Sequence, residues 1–150
     1  MTPDQARTAI EERFAAGATV DGSRVTASVA ADRWLELGRF AKDALGCQYF
    51  NFSTAVDWKD QGLEVVARVE NLDAGFSVTM RTRLAAGEAR CPSLVAVWRG
   101  AGWMERECFD MFGVRFEGHP DLRRILLPHD WEGHPLLKSY AVDTPHPPYR

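Results

Sequence analysis

The spacing of apolar and polar positions changes several times along the chain, and each change predicts an element. Thr2-Pro3-Asp4-Gln5 reads as a helix start, with Thr2 as cap, Pro3 in the first turn and Gln5 placed to reach back. Ala6, Ile10 and Phe14 then recur at helical spacing before Gly17. Val25, Ala27 and Val29 alternate with Thr26 and Ser28 as a strand, and Asp32 stands where it would cap a second helix. That helix carries the stripe Leu37, Ala41, Ala44 and Leu45 and stops at Gly46.

Residues 49–56 read as a further strand, less cleanly because of their Asn and Ser content, and residues 57–62 as a turn. Leu63, Val65, Ala67 and Val69 alternate with Glu64, Val66, Arg68 and Glu70, and after a turn at 71–75 the segment 76–84 shows the cleanest period of two in the chain. Such a sheet has one apolar and one wet face. Pro92 and Ser93 are expected to start a short helix that Gly100 and Gly102 interrupt. A last helix presents Met104, Cys108, Met111 and Phe112 at i, i+4, i+7 and i+8 and ends at Gly113.

The order α-β-α-β-β-β-α predicts an α+β fold, a mixed and mostly antiparallel sheet covered by helices on one face. Residues 1–113 hold every predicted strand and long helix and form the body. From Val114 the Gly and Pro density rises, so residues 114–150 are expected to be an extended C-terminal docking arm that gains its order from a partner. The tail from Asp143 through Pro145, Pro147 and Pro148 to Arg150 suits neither a helix nor a central strand.

Composition narrows the class. At 150 residues and 45% hydrophobic content the chain fits one domain with a real core. A formal net charge of −3 gives no electrostatic footprint for nucleic acid. The N-terminus opens polar, unlike a signal peptide, and no apolar run approaches the roughly 20 residues of a membrane span. A cytoplasmic protein is expected, held at a membrane, if at all, by other subunits. Cys47, Cys91 and Cys108 contain no Cys-x-x-Cys pair, whereas an iron–sulfur cluster needs about four thiolates.

The densest chemistry lies between Glu105 and Tyr140. Glu105-Arg106-Glu107 leads through Asp110 to two phrases built alike, Glu117-Gly118-His119-Pro120 and Glu132-Gly133-His134-Pro135. Trp103, Phe109, Phe116, Leu126 and Trp131 are threaded among the charges, a mixture that suits a surface buried against a partner. A metal cluster of His119, His129, His134, His146 and nearby Asp residues would need shorter ligand spacing. In Gly-His-Pro the commoner role is conformational, since Gly permits a bend and Pro restricts the residue before it. Glu105 and Glu107, two apart on a helix, point to different sides and cannot share a substrate face, while Arg106 and Asp110 are spaced to pair. Arg123-Arg124 could grip a carboxylate or phosphate, but no Gly-rich phosphate loop accompanies them.

These residues carry a family resemblance. Glu105-Arg106-Glu107, then Asp110, Met111-Phe112, His119, Arg123 and Ile125-Leu126 resemble the signature of the C subunit, or 30-kDa subunit, of proton-pumping NADH:quinone oxidoreductase, respiratory complex I. The likeness extends back through Pro92-Ser93-Leu94 and Ala101-Gly102-Trp103 and forward through Trp131 to Leu136. It departs after Leu136, where the family's basic, basic, acidic run before Tyr-Pro reads Leu137-Lys138-Ser139-Tyr140-Ala141. The resemblance implies a non-redox structural subunit of the hydrophilic arm, on the cytoplasmic side of the inner membrane and peripheral through the complex. It implies no cofactor in this chain, in a holoenzyme that uses NADH, flavin, iron–sulfur clusters and quinone and translocates protons. Its implied partners are the quinone-site D subunit and the B and I iron–sulfur subunits. The interface residues expected on this basis are Glu105, Arg106, Glu107, Asp110, His119, Asp121, Arg123, Arg124, Trp131, His134, Lys138 and Tyr140. The related subunit of a membrane-bound hydrogenase or of a ferredoxin- or F420-dependent dehydrogenase is the alternative, and a free-standing metal-dependent hydrolase a more distant one.

Overall fold

A computed structural model describes residues 1–143, so the reading of the tail from Thr144 onward lies outside the described residues. Helix α1 (Pro3–Phe14) starts as its sequence dictates, since Thr2 accepts from the Gln5 amide and the Gln5 side chain accepts from the Thr2 amide. Strands β1 (Ala18–Asp21) and β2 (Arg24–Ser28) form a hairpin, and helix α2 (Trp34–Asp43) follows a short 3₁₀ turn. Three longer strands, β3 (Tyr49–Asp57), β4 (Leu63–Asn71) and β5 (Phe76–Arg83), complete a five-stranded sheet of order β1-β2-β5-β4-β3. Only the β2–β5 pairing is parallel, so the sheet is mixed and mostly antiparallel, as the alternation predicts.

The registers set the two faces. Val25 lies beside Val78 and Ala27 beside Met80, while Met80 and Val78 face Ala67 and Val69 of β4. These side chains are buried with Ile10 of α1 and Trp34, Leu37 and Ala41 of α2 in one core. The other face carries Glu64, which lies 3.4 Å from Arg81 and accepts from the Trp58 indole at 3.0 Å. Alternation therefore decides burial here, because a slip of one residue would exchange the faces.

Helix α3 (Ala101–Phe112) packs along β3, the sheet's edge strand. An unpaired edge is a template for unwanted strand pairing. The Ser53 amide, on that edge, donates to the Met104 sulfur of α3 at 3.2 Å, so the helix covers part of it.

Five local expectations need correction. The hairpin strand β1 is absent from the predicted elements, although Gly22, at φ 59°, supplies the left-handed residue of a two-residue turn between the partners Asp21 and Arg24. Asp32 makes no capping bond, because α2 enters through the 3₁₀ turn Ala31–Arg33, and Ala44 is exposed. No helix starts at Pro92. The segment Arg90–Pro92 is strand β6, paired in parallel with β7 (Arg115–Glu117), and Pro92 is tolerated at the end of so short a strand. Residues beyond Gly113 thus contribute a strand, and Val114 and Phe116 are buried in the core.

A consequence concerns α2. Leu37→Ala deletes a fully buried side chain, whereas Leu72→Ala trims one on a turn that is 67% exposed. Urea unfolding should show a loss of about 2–5 kcal/mol for the first and less than about 0.5 kcal/mol for the second.

Candidate functional site

Helix α3 positions the signature residues, and it carries two buried carboxylates that face different ways. Glu105 is 1% exposed and turns toward the body, accepting from the Ser93 hydroxyl at 2.6 Å and the Leu94 amide at 2.7 Å. It therefore ties down the loop that leaves β6. Burial pushes its pKa up to about 7, against the pull of those two bonds. Glu107, two residues on, is exposed, as helical geometry requires.

Asp110 lies in the last turn of α3 and faces the other way, toward the arm. Its carboxylate accepts from the Arg124 guanidinium at 2.7 Å and from the consecutive amides of Ile125, Leu126 and Leu127 at 3.1, 2.8 and 2.9 Å. A negative charge at a helix C-terminus is ordinarily unfavourable. Here the side chain is fully buried, which raises its pKa, but Arg124 and the three amides outweigh burial and hold it below the ordinary carboxylate range. Arg124 also donates to the Asp110 carbonyl at 3.1 Å and to the Trp131 and Gly133 carbonyls at 2.8 Å each. One guanidinium thus neutralises the carboxylate and joins three segments.

The same geometry resolves the end of α3, whose final carbonyls need partners. The Gly113 amide donates to the Phe109 carbonyl, the His134 ring to that of Asp110 at 2.9 Å, and the Leu136 amide to that of Met111 at 2.9 Å. Gly113 has φ 77°, and a Cβ there would stand 2.9 Å from the His134 ring, so glycine is required by both conformation and space. At the other end His119 Nε2 donates to the Gly102 carbonyl at 3.0 Å while its Nδ1 accepts from the Asp121 amide at 3.0 Å, which fixes the neutral tautomer. The two Gly-His-Pro phrases therefore do one job twice, each placing an imidazole on a carbonyl of α3. Gly118 and Gly133, at φ 85° and 84°, supply the bend before each histidine.

The remaining members sort by exposure. Arg106 donates to the carbonyls of Arg123 and Arg124 at 3.1 and 2.9 Å rather than to Asp110, so the expected helical pair gives way to two contacts with the arm. Asp121 and Arg123 pair with each other at 2.9 Å on the surface. The Lys138 amide donates to Asp57 of β3 at 2.7 Å, and the Tyr140 ring lies over Gly133. Trp131 supplies a carbonyl to Arg124. Hence Glu105, Arg106, Asp110, His119, Arg124 and His134 act within the chain, and the arm to Asp143 has supports on its own body rather than waiting wholly for a partner. Exposed on α3 are Glu107 and Trp103, which is 66% exposed with the Arg106 guanidinium 5.5 Å from its ring centre. Sequence reasoning names these residues but has no signal for which charges close on the chain itself, because Asp110 and Arg124 are 14 positions apart.

Among the described residues no group of three or more His, Cys, Asp or Glu is placed to hold a metal ion. The three thiols are buried, and desolvation raises the pKa of each, to about 12 for Cys47 and Cys108. Among the described residues no helix is long and apolar enough to cross a membrane.

Fold and lattice define a class first: a small α+β body whose C-terminal arm is fastened back along its last helix by a buried carboxylate and a guanidinium. The family described as "Respiratory-chain NADH dehydrogenase, 30 Kd subunit" matches residues 27–146, a span that includes the whole lattice. The chain is 42% identical over 115 residues to the C subunit of NADH-quinone oxidoreductase from Chlorobium phaeobacteroides, covering 74% of this chain and 69% of that one. It is 40% identical to the Rhodobacter capsulatus protein of the same name, covering 83% of this chain and 64% of the relative. The match to the Citrifermentans bemidjiense protein is 34% identical and covers 91% and 88%. Among solved structures, the trypsin-resistant fragment of Nqo5 shares the fold at TM-score 0.69 and 22% identity, covering 81% of this chain and 100% of that one. A chain of an archaeal membrane-bound sulfane sulfur reductase aligns at TM-score 0.66 and 28% identity, covering 77% and 70%. The chain belongs to the respiratory-chain NADH dehydrogenase 30 Kd subunit family.

Two measurements test the lattice. Asp110→Asn keeps the shape but leaves one acceptor oxygen for four donors and sets an amide NH2 against backbone N–H groups. Breaking such a buried pair costs about 3–5 kcal/mol, and limited proteolysis should show faster cleavage beyond Gly113 than in the unaltered chain. For Glu105, the native state retains a proton between the unfolded value of about 4.3 and the folded value of about 7. Its contribution to stability is therefore complete below the lower value and lost as pH rises through the upper one. Glu105→Gln does not titrate; its amide oxygen can keep the Leu94 bond, and its NH2 can donate to the Ser93 hydroxyl oxygen in place of accepting from it, so denaturation at a series of pH values should show the unaltered chain losing stability relative to the variant across that window. A pH-independent difference would mean that Glu105 stays ionised.

Proposed function

We propose that this chain is a non-redox structural subunit of the hydrophilic arm of an NADH:quinone oxidoreductase, docking the quinone-site D subunit and lying near the B and I iron–sulfur subunits. The holoenzyme of that reading couples NADH oxidation and quinone reduction, through flavin and iron–sulfur clusters, to proton translocation. The chain would then sit on the cytoplasmic side of the inner membrane, peripheral through its partners, with no cofactor of its own. The observation that carries the reading is the family match over residues 27–146, because it takes in every residue of the α3–arm lattice.

The lattice supports a docking role on energetic grounds. A surface that is already rigid loses little conformational entropy on association, so more of its contact energy appears as affinity. Asp110 and Arg124 supply that rigidity without facing the partner. Trp103 and Glu107 on α3, with Asp121 and Arg123 on the arm, supply an exposed aromatic group bordered by charges, the composition of an interface centre and its rim. The likeness to the sulfane sulfur reductase chain favours, as a second reading, the equivalent subunit of a related respiratory membrane complex.

Trp103→Ala combined with Glu107→Lys changes two exposed side chains and should leave the free chain's unfolding curve unaltered. Copurification with the tagged large subunits from membranes should nevertheless fall several-fold. Normal incorporation of this variant would remove α3 from the docking surface.

A further inference from the structure

A second surface lies at the opposite end of the 93–100 loop from the lattice. A groove of about 680 Å³ is bounded by the last turn of α2 at Lys42, the start of edge strand β3 at Tyr49 and Phe50, and the loop at Val97, Trp98 and Arg99. Its walls are fixed from within. The Lys42 ammonium donates to the Val97 carbonyl at 2.6 Å, the Trp98 indole donates to the Cys47 carbonyl at 3.2 Å, and the Phe50 and Trp98 rings stand 5.6 Å apart. Gly38 of α2 admits the loop, since a Cβ there would stand 2.8 Å from Leu94.

Its charge is one-sided. Among the described residues Lys42 and Arg99 are the only charged ones lining it, and both are cations, in a chain whose formal net charge is −3. The Lys42 ammonium has three donors, of which Val97 takes one. Arg99 is exposed, and among the described residues no ion pair engages it. By contrast a cleft of about 550 Å³ between residues 57–63 and 137–139 has a rim where Asp57 and Asp60 balance Lys59 and Lys138, so nothing there selects a charge. The cationic groove also begins on an edge strand, at Tyr49, which is 50% exposed. Extended segments bind to such edges through main-chain bonds, with neighbouring pockets supplying specificity.

We propose that this groove receives an extended acidic segment of a partner protein, its carboxylates meeting Lys42 and Arg99 and its backbone running beside the start of β3. The proposal rests on the subunit reading but uses a surface distinct from α3 and the arm. The cationic lining gives the register and the aromatic floor excludes water around the ion pairs.

The test uses the assembled complex. A photo-crosslinking p-benzoylphenylalanine in place of Tyr49 should yield, after irradiation and mass spectrometry, an adduct on a partner peptide containing Asp or Glu. Arg99→Glu should lower the chain's retention in the complex by about tenfold or more, since like charges brought together at an interface repel strongly, while Arg99→Lys should retain most of it. An unchanged melting curve of the free Arg99→Glu chain assigns the loss to docking. Wild-type retention with no partner adduct, or an adduct on a basic or uncharged peptide, overturns the proposal, as does normal retention of Arg99→Glu. Saturable binding of citrate or inorganic phosphate to the free chain, abolished by Arg99→Glu and without any partner adduct, also overturns it by making the groove a small-anion site. Failure of the unaltered chain to copurify with any oxidoreductase subunit would instead refute the subunit reading itself.

Discussion

The constraint on which the rest depends is that a carboxylate has been placed where a helix least favours one, at the C-terminal end of α3. Asp110 is tolerable there only while Arg124 and three successive amides surround it. Those donors come from the arm, so the arm must return to the helix for the helix to end properly. The dependence is mutual, because the segment 124–127, which bends around the carboxylate, has no strand partner and its amides at 125–127 would otherwise be satisfied only by water. Helix end and arm therefore complete one another, and His134, Gly113 and Leu136 extend the arrangement to the carbonyls of Asp110, Phe109 and Met111 in the last turn of α3.

Glu105 and Asp110 show how environment divides two like side chains on one helix. Both are inaccessible to water, yet desolvation wins at Glu105, which has two neutral donors, and loses at Asp110, which has a guanidinium and three amides. The result is a helix fixed on one side to the body by a carboxylate that holds its proton readily and on the other to the arm by one that does not.

How much of this was legible in the sequence follows from the range of each interaction. The α1 capping box spans three positions, and the β4 and β5 alternation repeats every two, so both could be read directly. The Gly-His-Pro phrases were legible as bends, and Gly118 and Gly133 adopt them. The partner of each histidine was not, since Gly102 and Asp110 lie 17 and 24 positions away. The parallel β6–β7 pair failed for the same reason, as three-residue strands 25 positions apart leave no period to detect and Pro92 suggested a helix start instead. The family signature preserved what periodicity could not express. Its spacing of Asp110, His119 and Ile125-Leu126 coincides with a tertiary arrangement inside the chain, whereas the sequence reading expected Asp110 and His119 at a partner interface.

That reassignment alters how charged motifs in such a chain are to be weighed. An interface charge is free to change with its partner, whereas a charge that closes the protein's own helix must match a fixed internal geometry. Arg124 belongs to the second kind, with four bonds from its two terminal nitrogens to three carbonyls and a carboxylate. Lysine could not reproduce it, because a single ammonium cannot span those directions. Among the described residues the Arg123 side chain, adjacent in sequence, pairs with the exposed Asp121 alone and is bound by no such geometry. Two neighbouring arginines thus carry different information, one about how the arm is folded and the other about what the folded arm meets.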